Sequence, residues 1–129
     1  MATDNRSERA AIEATVRRYI DGIAKSDPEC VASAFHPNAT MTGHFGGKFT
    51  LVEHAGKHIA DYMRSIGSTS VHSPHFRGSI TSVLQEGDMA AVAIAEDQLQ
   101  GHDMRSFFQL HKIDGQWLIT AKATTTLRG

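Results

Sequence analysis

The sequence predicts an α+β fold in one domain, because helical and strand-like patterns occupy separate parts of the chain. An apolar stripe at helical spacing lies near the N-terminus. Strand-like segments separated by turn signals fill the second half, at residues 75–85, 89–100, 105–113 and 116–127. Helices first and a strand meander last are typical of an α+β layout. The length of 129 residues suits a single domain over residues 1–129, and we expect residues 1–6 to be flexible.

The first helix carries the clearest periodicity in the chain. Its apolar residues recur at helical spacing and form one stripe, at Ile12, Val16, Tyr19, Ile20 and Ile23. Asn5 followed by Glu8, or Ser7 alone, would cap its start. Because a stripe this wide is not stable in water alone, the helix must pack against another surface.

A short second helix is predicted directly after the first. Asp27 can cap its start, and Pro28 suits the first helical position. Pro37 biases His36 away from helical angles, so this helix is expected to end near Phe35.

Residues 38–53 predict a short hairpin, in which Gly46-Gly47 forms the turn. Thr50 with Glu53 also resembles a capping box, which would make residues 51–66 one helix. We favour the hairpin, with the third helix starting near His54. The buried stripe of that helix is predicted at Ile59, Tyr62, Met63 and Ile66, and Gly67 would end it.

The second half of the chain predicts two hairpins. Glu86-Gly87-Asp88 and Asp114-Gly115 are turn signals, and Gly101-His102-Asp103 joins the two pairs of strands. Residues 67–76 are rich in Ser and contain one Pro, so we interpret them as a linker within the domain.

Composition and charge exclude several classes of protein. Hydrophobic residues make up 40% and charged residues 21%, which is a globular balance. The net charge is −1 and no basic stripe stands out, so nucleic acid is not an expected partner. The longest apolar run, Met89 to Ala95, is too short to span a bilayer, so no membrane association is expected. The N-terminus is polar and Cys30 stands alone, so a cytoplasmic protein without an internal disulfide is expected.

The order of the elements and two motifs resemble a known superfamily. The stretch "AFHPNA" ends the second predicted helix, and "FFQLHKIDGQWLITAK" forms the last predicted hairpin. From about Glu8 to Lys122 the chain resembles the nuclear transport factor 2-like superfamily. Within it, "FHPNA" and "DGQW" are similar to the small bacterial proteins called polyketide-cyclase-like or putative lumazine-binding.

The resemblance implies a cone-shaped, curved antiparallel sheet packed on three N-terminal helices, with a pocket inside. It also implies a homodimer formed through the sheet. Members of the superfamily include isomerases, cyclases, dehydratases and proteins with no known reaction. Because one fold hosts many functions, the site must be argued from its own residues.

Histidine is over-represented, with eight residues. His36 lies at a corner of the implied fold, where we interpret its ring as a hydrogen-bond partner for backbone at a helix end and not as a catalytic base. His44 is the better catalytic candidate, because it lies on a strand near two glycines that expose backbone. Strict alternation puts His44 opposite Met41, so a bulge would be needed for both to face inward.

Two histidines on the third helix raise the question of a metal. His54, His58 and Asp61 are spaced four and three apart, and paired histidines of this kind can bind zinc. There is no HExxH motif, and the sequence identifies no further ligand. We therefore favour a solvated helix face, and expect neither a metal nor another cofactor.

An acidic insert follows the apolar run of the fourth strand. Alternation means that one of Glu96 and Asp97 points into the fold and the other away. A carboxylate on the inner face of a dry pocket would suit general acid–base work. We name Asp97 and His44 as the candidate catalytic residues and leave open which acid faces the pocket. The alternative is that the strand emerges into solvent and both acids lie at its rim.

The residues that we expect to line a ligand pocket are Tyr19, Met41, Tyr62, Met63, Phe108 and Trp117. The two tyrosines lie on the apolar stripes of different helices, so their hydroxyls either find local partners or polarise a carbonyl as an oxyanion hole does. The methionines would form an adaptable lining, and the large aromatics are equally suited to filling the core.

Three function classes remain open from the sequence. The protein is an acid–base enzyme of isomerase, cyclase or dehydratase type acting on a small cyclic or carbonyl compound, a non-catalytic binder of a small apolar or heterocyclic ligand, or a dimeric accessory domain. A cavity lined by a titratable group favours the enzyme, and a purely apolar cavity favours the binder.

Overall fold

A computed structural model describes residues 5–127 of the chain. The helices are α1 (Asn5–Ala24), α2 (Pro28–Ser33), α3 (Ala55–Ile66) and α4 (Thr69–His72). The strands are β1 (Phe35–Phe45), β2 (Lys48–Val52), β3 (Arg77–Glu86), β4 (Met89–Leu99), β5 (His102–Ile113) and β6 (Gln116–Thr126). The expected flexibility of residues 1–6 stays a prediction, since residues 1–4 lie outside the described residues and α1 includes residues 5 and 6.

All six strands form one curved, open sheet in the order β2-β1-β6-β5-β4-β3. The predicted α+β class is therefore confirmed. Neighbouring strands are antiparallel except for β1 and β6, which pair in parallel. The wholly antiparallel sheet that we expected is thus a mixed one, because the first hairpin is inserted beside the last strand of the chain. None of the described helices combines the length and hydropathy of a membrane span.

The core lies between α1 and the inner face of the sheet. Each residue of the predicted α1 stripe is buried, and the stripe packs on apolar residues of β4, β5 and β6, among them Val92, Ile94, Phe108, Leu110 and Ile119. Burial of these side chains is the main stabilising contribution of the helix, at about 25 cal/mol per Å² of apolar surface removed from water. The 3.6-residue period of the sequence thus predicted this face correctly.

The second helix begins as its sequence predicts. The Asp27 side chain accepts a hydrogen bond from the backbone N–H of Cys30 at 3.1 Å, and Pro28 occupies the first turn. The helix ends at Ser33, and Phe35 already belongs to β1. His36 and Pro37 lie within β1, where the register against β6 shifts between Phe35 and Thr40, so Pro37 falls at an irregular part of the sheet.

The first hairpin and the start of α3 are confirmed, but the buried face of α3 differs from the prediction. Small residues, Ala55, Gly56 and Ala60, are its buried ones. A Cβ on Gly56 would lie 2.9 Å from the Cβ of Phe35, so the glycine allows α3 to approach this part of the fold closely. The larger apolar side chains of α3 are only partly buried, and Tyr62 is half exposed.

The segment interpreted as a linker contains the short helix α4, which the sequence analysis missed. Buried Thr69 ties this helix to the end of α1: its hydroxyl donates to the Ile23 carbonyl, and its backbone N–H donates to Ser26 Oγ, both at 2.6 Å. Four residues are too short for a periodic signal, and long-range hydrogen bonds hold the turn in place.

Candidate functional site

A cavity of about 530 Å³ lies between the inner face of the sheet, α1 and α3. Its walls are mainly apolar, with Met41, Phe45, Ile59, Leu99 and Met104 among the lining residues. The polar lining residues include Tyr19, His58, Glu96, Lys122 and Thr124, which belong to α1, α3, β4 and β6. A largely apolar cavity with a few convergent polar groups is typical of a small-molecule site.

Strand register brings the deepest polar groups together. Ser106 on β5 pairs with Thr124 on β6 and with Ile94 on β4. Glu96 lies two residues beyond Ile94, and side chains two apart share one face of a strand. The three polar side chains therefore meet on the inner face, where each is at most 4% exposed.

A continuous chain of hydrogen bonds joins these groups. Lys122 Nζ donates to Thr124 Oγ1 at 2.5 Å, and the two hydroxyls of Thr124 and Ser106 are 2.8 Å apart. Ser106 Oγ donates to Glu96 Oε1 at 3.0 Å, and Tyr19 Oη donates to Glu96 Oε2 at 2.9 Å. Among the described residues no buried side-chain oxygen or nitrogen lacks a partner, so the network is fully satisfied.

Tyr19 is held in position by aromatic packing and by Glu96. Its ring makes edge-to-face contacts with Phe108 and Phe35, at centroid distances of 5.1 and 5.9 Å. Burial, with the charge of Glu96 as a second cause, raises the pKa of the Tyr19 hydroxyl well above 10.0. The hydroxyl therefore stays protonated and gives its one proton to Glu96. It has no second proton to donate to a ligand, which does not fit an oxyanion-hole donor.

Lys122 is a buried cation beside an aromatic face. The residue is 6% exposed, and its Nζ lies 5.7 Å from the centroid of the Tyr19 ring. Burial lowers the pKa of the Lys122 amine below 10.5, and the nearby charge of Glu96 partly opposes this effect. A lysine in such surroundings carries a larger fraction of free amine than a lysine at the surface.

The family described as "Putative lumazine-binding" matches residues 7–124. The chain belongs to this family. No curated protein sequence matches it.

Solved structures show the same architecture. A nuclear transport factor 2-like protein of unknown function from Shewanella baltica superposes with a TM-score of 0.87 at 24% identity, over 99% of this chain and 100% of that one. A ketosteroid isomerase-like protein from Erwinia carotovora atroseptica superposes with a TM-score of 0.69 at 18% identity, over 93% of this chain and 96% of that one. A putative dehydratase from Streptomyces avermitilis superposes with a TM-score of 0.71 at 12% identity, over 98% of this chain and 100% of that one. The predicted nuclear transport factor 2-like fold is therefore confirmed.

Within this family fold, the structure places Glu96 and not Asp97 in the cavity. Asp97 lies on the other face of β4 and forms an ion pair with Arg105, at 2.9 Å between Oδ1 and Nη1. The sequence left open which acid faces the pocket, and this position of Asp97 does not suit the catalytic role for which we named it. The shared face of Val92, Ile94 and Glu96 is the buried one, because it is the face that packs beneath α1.

His44 is exposed and lies outside the cavity. Its ring packs against Phe49 of the neighbouring strand, at 5.4 Å between centroids. Alternation along β1 continues through Met41 and Gly43, which are buried, so the bulge that would turn His44 inward is absent from this stretch of the described chain. This corrects the placement on which its proposed catalytic role rested.

The predicted ligand-binding residues divide into two groups. Tyr19, Met41 and Tyr62 line the cavity, and Tyr62 Oη donates to Gln100 Oε1 at 3.2 Å near its mouth. Phe108 and Trp117 are buried in the core, and Met63 packs against its edge. These three residues do not line the cavity, because it occupies one end of the sheet.

The histidines of α3 do not form a metal centre with Asp61. His58 lines the cavity, whereas His54 Nδ1 lies 3.0 Å from the Pro37 carbonyl oxygen. Asp61 forms ion pairs with Lys57 and Arg64. Within residues 5–127 no group of three or more potential ligands is arranged to hold a metal ion.

Sequence reasoning missed Lys122, Thr124 and Ser106. Alternation from the inward-facing Trp117 and Ile119 predicts that Lys122 points to the opposite face. The pairing of β6 with β5 shifts in register between Ile119 and Ala121, and this irregularity brings Lys122 and Thr124 to the buried face, which periodicity alone does not predict.

Proposed function

We propose that the protein binds a small, mostly apolar carbonyl compound in the cavity and moves protons on it, in a reaction of isomerase, cyclase or dehydratase type. The observation that carries this proposal is the position of Glu96, which is 1% exposed at the cavity and hydrogen-bonded through both carboxylate oxygens.

In the proposed reaction, Glu96 is the base. Its two hydrogen-bond donors hold the carboxylate in one orientation, and the apolar walls keep water away from it. The ammonium form of Lys122 would stabilise negative charge that develops on the carbonyl oxygen as a proton leaves the adjacent carbon. A base and a cation at one cavity are the two elements that enolisation requires.

Two solved structures support this choice at the level of analogy. One is described as a ketosteroid isomerase-like protein and the other as a putative dehydratase, and both share the fold of this chain. Fold alone does not carry an activity, so the proposal rests on Glu96 and its partners.

Deuterium exchange tests the proposal directly. We expect the protein to catalyse exchange of the α-protons of cyclohexanone in D₂O, followed by proton NMR. Glu96→Gln should slow this exchange about 100-fold, the lower range of general-base contributions. Asp97→Asn is the matched control, because it makes the same chemical change one residue away on the opposite face. Equal exchange rates in the two variants, or none in the wild type, would contradict the role of Glu96.

A non-catalytic binder is the second candidate. Both carboxylate oxygens of Glu96 and the one proton of Tyr19 are already used within the protein, and the family description names a heterocyclic ligand. A fluorescence titration with lumazine tests this reading. Saturable binding without any exchange activity on cyclohexanone would favour the binder over the enzyme.

We further propose a homodimer through the outer face of the sheet, in the cytoplasm. Large apolar side chains are exposed on or beside this face, at Phe49, Leu51, Leu84, Met89 and Phe107. Exposed apolar clusters of this kind mark interaction surfaces in soluble proteins. A lone cysteine, Cys30, agrees with a reducing compartment.

A further inference from the structure

We infer that Lys122 is a nucleophilic amine that forms an imine with the carbonyl carbon of a ligand in the cavity. This inference shares its site with the proposed function and rests on it for the class of ligand, a small aldehyde or ketone.

The surroundings of Lys122 differ from those of the paired lysines. Lys57 and Lys112 each lie within ion-pair distance of a carboxylate, Asp61 and Glu8 respectively. Within residues 5–127, Lys122 Nζ has no carboxylate at that distance, and its one side-chain hydrogen bond goes to a neutral hydroxyl. Lys122 is one of the residues that line the cavity, and its Nζ lies 5.7 Å from the ring centroid of Tyr19, another lining residue, so a molecule bound there lies near the amine.

Desolvation makes this amine available for attack. Only the neutral amine is nucleophilic, and burial lowers the pKa of Lys122. Other titratable groups that line the cavity are Tyr19, His58, Tyr62, Glu96 and His102. Of these, Glu96 favours the charged amine, but burial is the larger influence on Lys122.

The hydroxyl chain provides a path for the proton that the amine must lose. Lys122 donates to Thr124, the Thr124 hydroxyl can donate to Ser106, and Ser106 donates to Glu96. The bonds therefore run in one direction from ammonium to carboxylate. Transfer of one proton along this chain leaves a neutral amine and a protonated Glu96.

The covalent step balances with water as its one product. The lone pair of Nζ attacks the carbonyl carbon, the C–N bond forms, and the carbonyl oxygen takes the proton held by Glu96. The resulting carbinolamine loses its hydroxyl group and an N–H proton as water, which leaves a C=N bond. No oxidant or reductant is consumed.

Reductive trapping with benzaldehyde and sodium cyanoborohydride at pH 7 tests the inference, with peptide mapping by mass spectrometry. We expect Lys122 to be benzylated faster than exposed Lys57, because burial lowers the pKa of Lys122 and so raises the fraction of its amine that is free. Lys122→Met should remove the fast label, and Lys57→Met should retain it. If labelling follows solvent exposure, with Lys122 the slowest lysine, the inference is wrong.

Two further measurements separate this inference from the proposed function. Thr124→Val interrupts the hydroxyl chain, so labelling of Lys122 should slow while the cavity keeps its shape; unchanged labelling would contradict the relay. If Lys122→Met still exchanges the α-protons of cyclohexanone at the wild-type rate, both the imine and the charge-stabilising role of Lys122 are refuted, and only the role of Glu96 as the base stands. If Lys122 is trapped rapidly but Glu96→Gln exchanges normally, the imine stands and Glu96 is not the base.

The comparison of rates at Lys122 and Lys57 is made within the wild-type protein, so it holds even if Lys122→Met fails to fold. Lys122→Arg provides a second variant that keeps the positive charge beside Glu96 without a nucleophilic amine. We expect the fast label to be lost in this variant. A fast label that remains on another lysine in the peptide map would show that Lys122 is not the labelled residue and would contradict the inference.

Discussion

Tyr19 and Glu96, 77 positions apart in the sequence, share a buried hydrogen bond of 2.9 Å between Oη and Oε2. This bond connects the C-terminal half of α1 to the inner face of β4. It satisfies the carboxylate at the base of the cavity and, with the aromatic contacts of Tyr19, orients both side chains. The stability of the helix and the geometry of the candidate site therefore depend on the same contact.

Tyr19→Phe should destabilise the protein by about 2 kcal/mol, the usual range for a buried hydrogen bond to a charged group. The ring contacts with Phe35 and Phe108 are retained, so the loss reports the hydroxyl alone. Urea unfolding at pH 7 measures it. Tyr62→Phe is the control, since that hydroxyl is exposed and bonds only to Gln100 among its described partners. Equal effects of the two substitutions would contradict a special role for the Tyr19–Glu96 bond.

Stability should rise with pH through the titration of Lys122. Burial depresses the folded-state pKa below the unfolded value of 10.5, so the unfolded chain binds more protons between these two pKa values. The favourable contribution is complete above 10.5 and is lost as pH falls through the folded-state pKa.

Lys122→Met should remove this dependence. Urea unfolding of both proteins between pH 7 and 9.5 measures the difference, below the range in which tyrosines of the unfolded chain ionise. The wild type should gain stability relative to Lys122→Met as pH rises. A constant difference over this window would show that the pKa of Lys122 is not lowered within it.

Acid should weaken the attachment of α1 to the last hairpin. Glu8 accepts hydrogen bonds from Lys112 Nζ and Trp117 Nε1, each at 2.9 Å. The bond from Lys112 is the main cause of the lowered pKa of Glu8, below 4.5. Its stabilising contribution is therefore present above pH 4.5 and is lost as pH falls through the folded-state pKa.

Glu8→Gln should be less stable than the wild type at pH 7, and the two proteins should converge at low pH. Trp117 fluorescence during urea unfolding is the readout, because the indole donates directly to Glu8. The control is Glu13→Gln, which removes an exposed helix pair with Arg9. A difference that persists unchanged to pH 2 would contradict the prediction.

Phe107→Glu should convert the proposed dimer to a monomer. Phe107 lies near the middle of the outer sheet face and is 68% exposed in one chain. A charge there would have to be desolvated in an interface. Light scattering gives the mass, with Val71→Glu as the control because that residue is 80% exposed on α4, away from the sheet. A wild-type mass of one chain, about 14.1 kDa, would refute the dimer.

Local patterns carried the prediction of most elements. The period of α1, the cap at Asp27 and the turn signals of the two C-terminal hairpins each depend on residues near one another, and the structure agrees with them. The buried face of α3 was wrong because its packing is set by close approach at Gly56 and not by its largest side chains. The helix α4 was missed because a single turn has no period.

The sequence by itself determined that Glu96 and Asp97 point to opposite faces of β4, since alternation is a property of any strand. Only the tertiary structure decided that Glu96 lies on the inner face, because that is the face that α1 covers. The same holds for the chain from Lys122 to Glu96: its members lie on three strands, and their contact depends on register between strands. Local sequence specifies which residues share a face, whereas register and packing specify which faces meet.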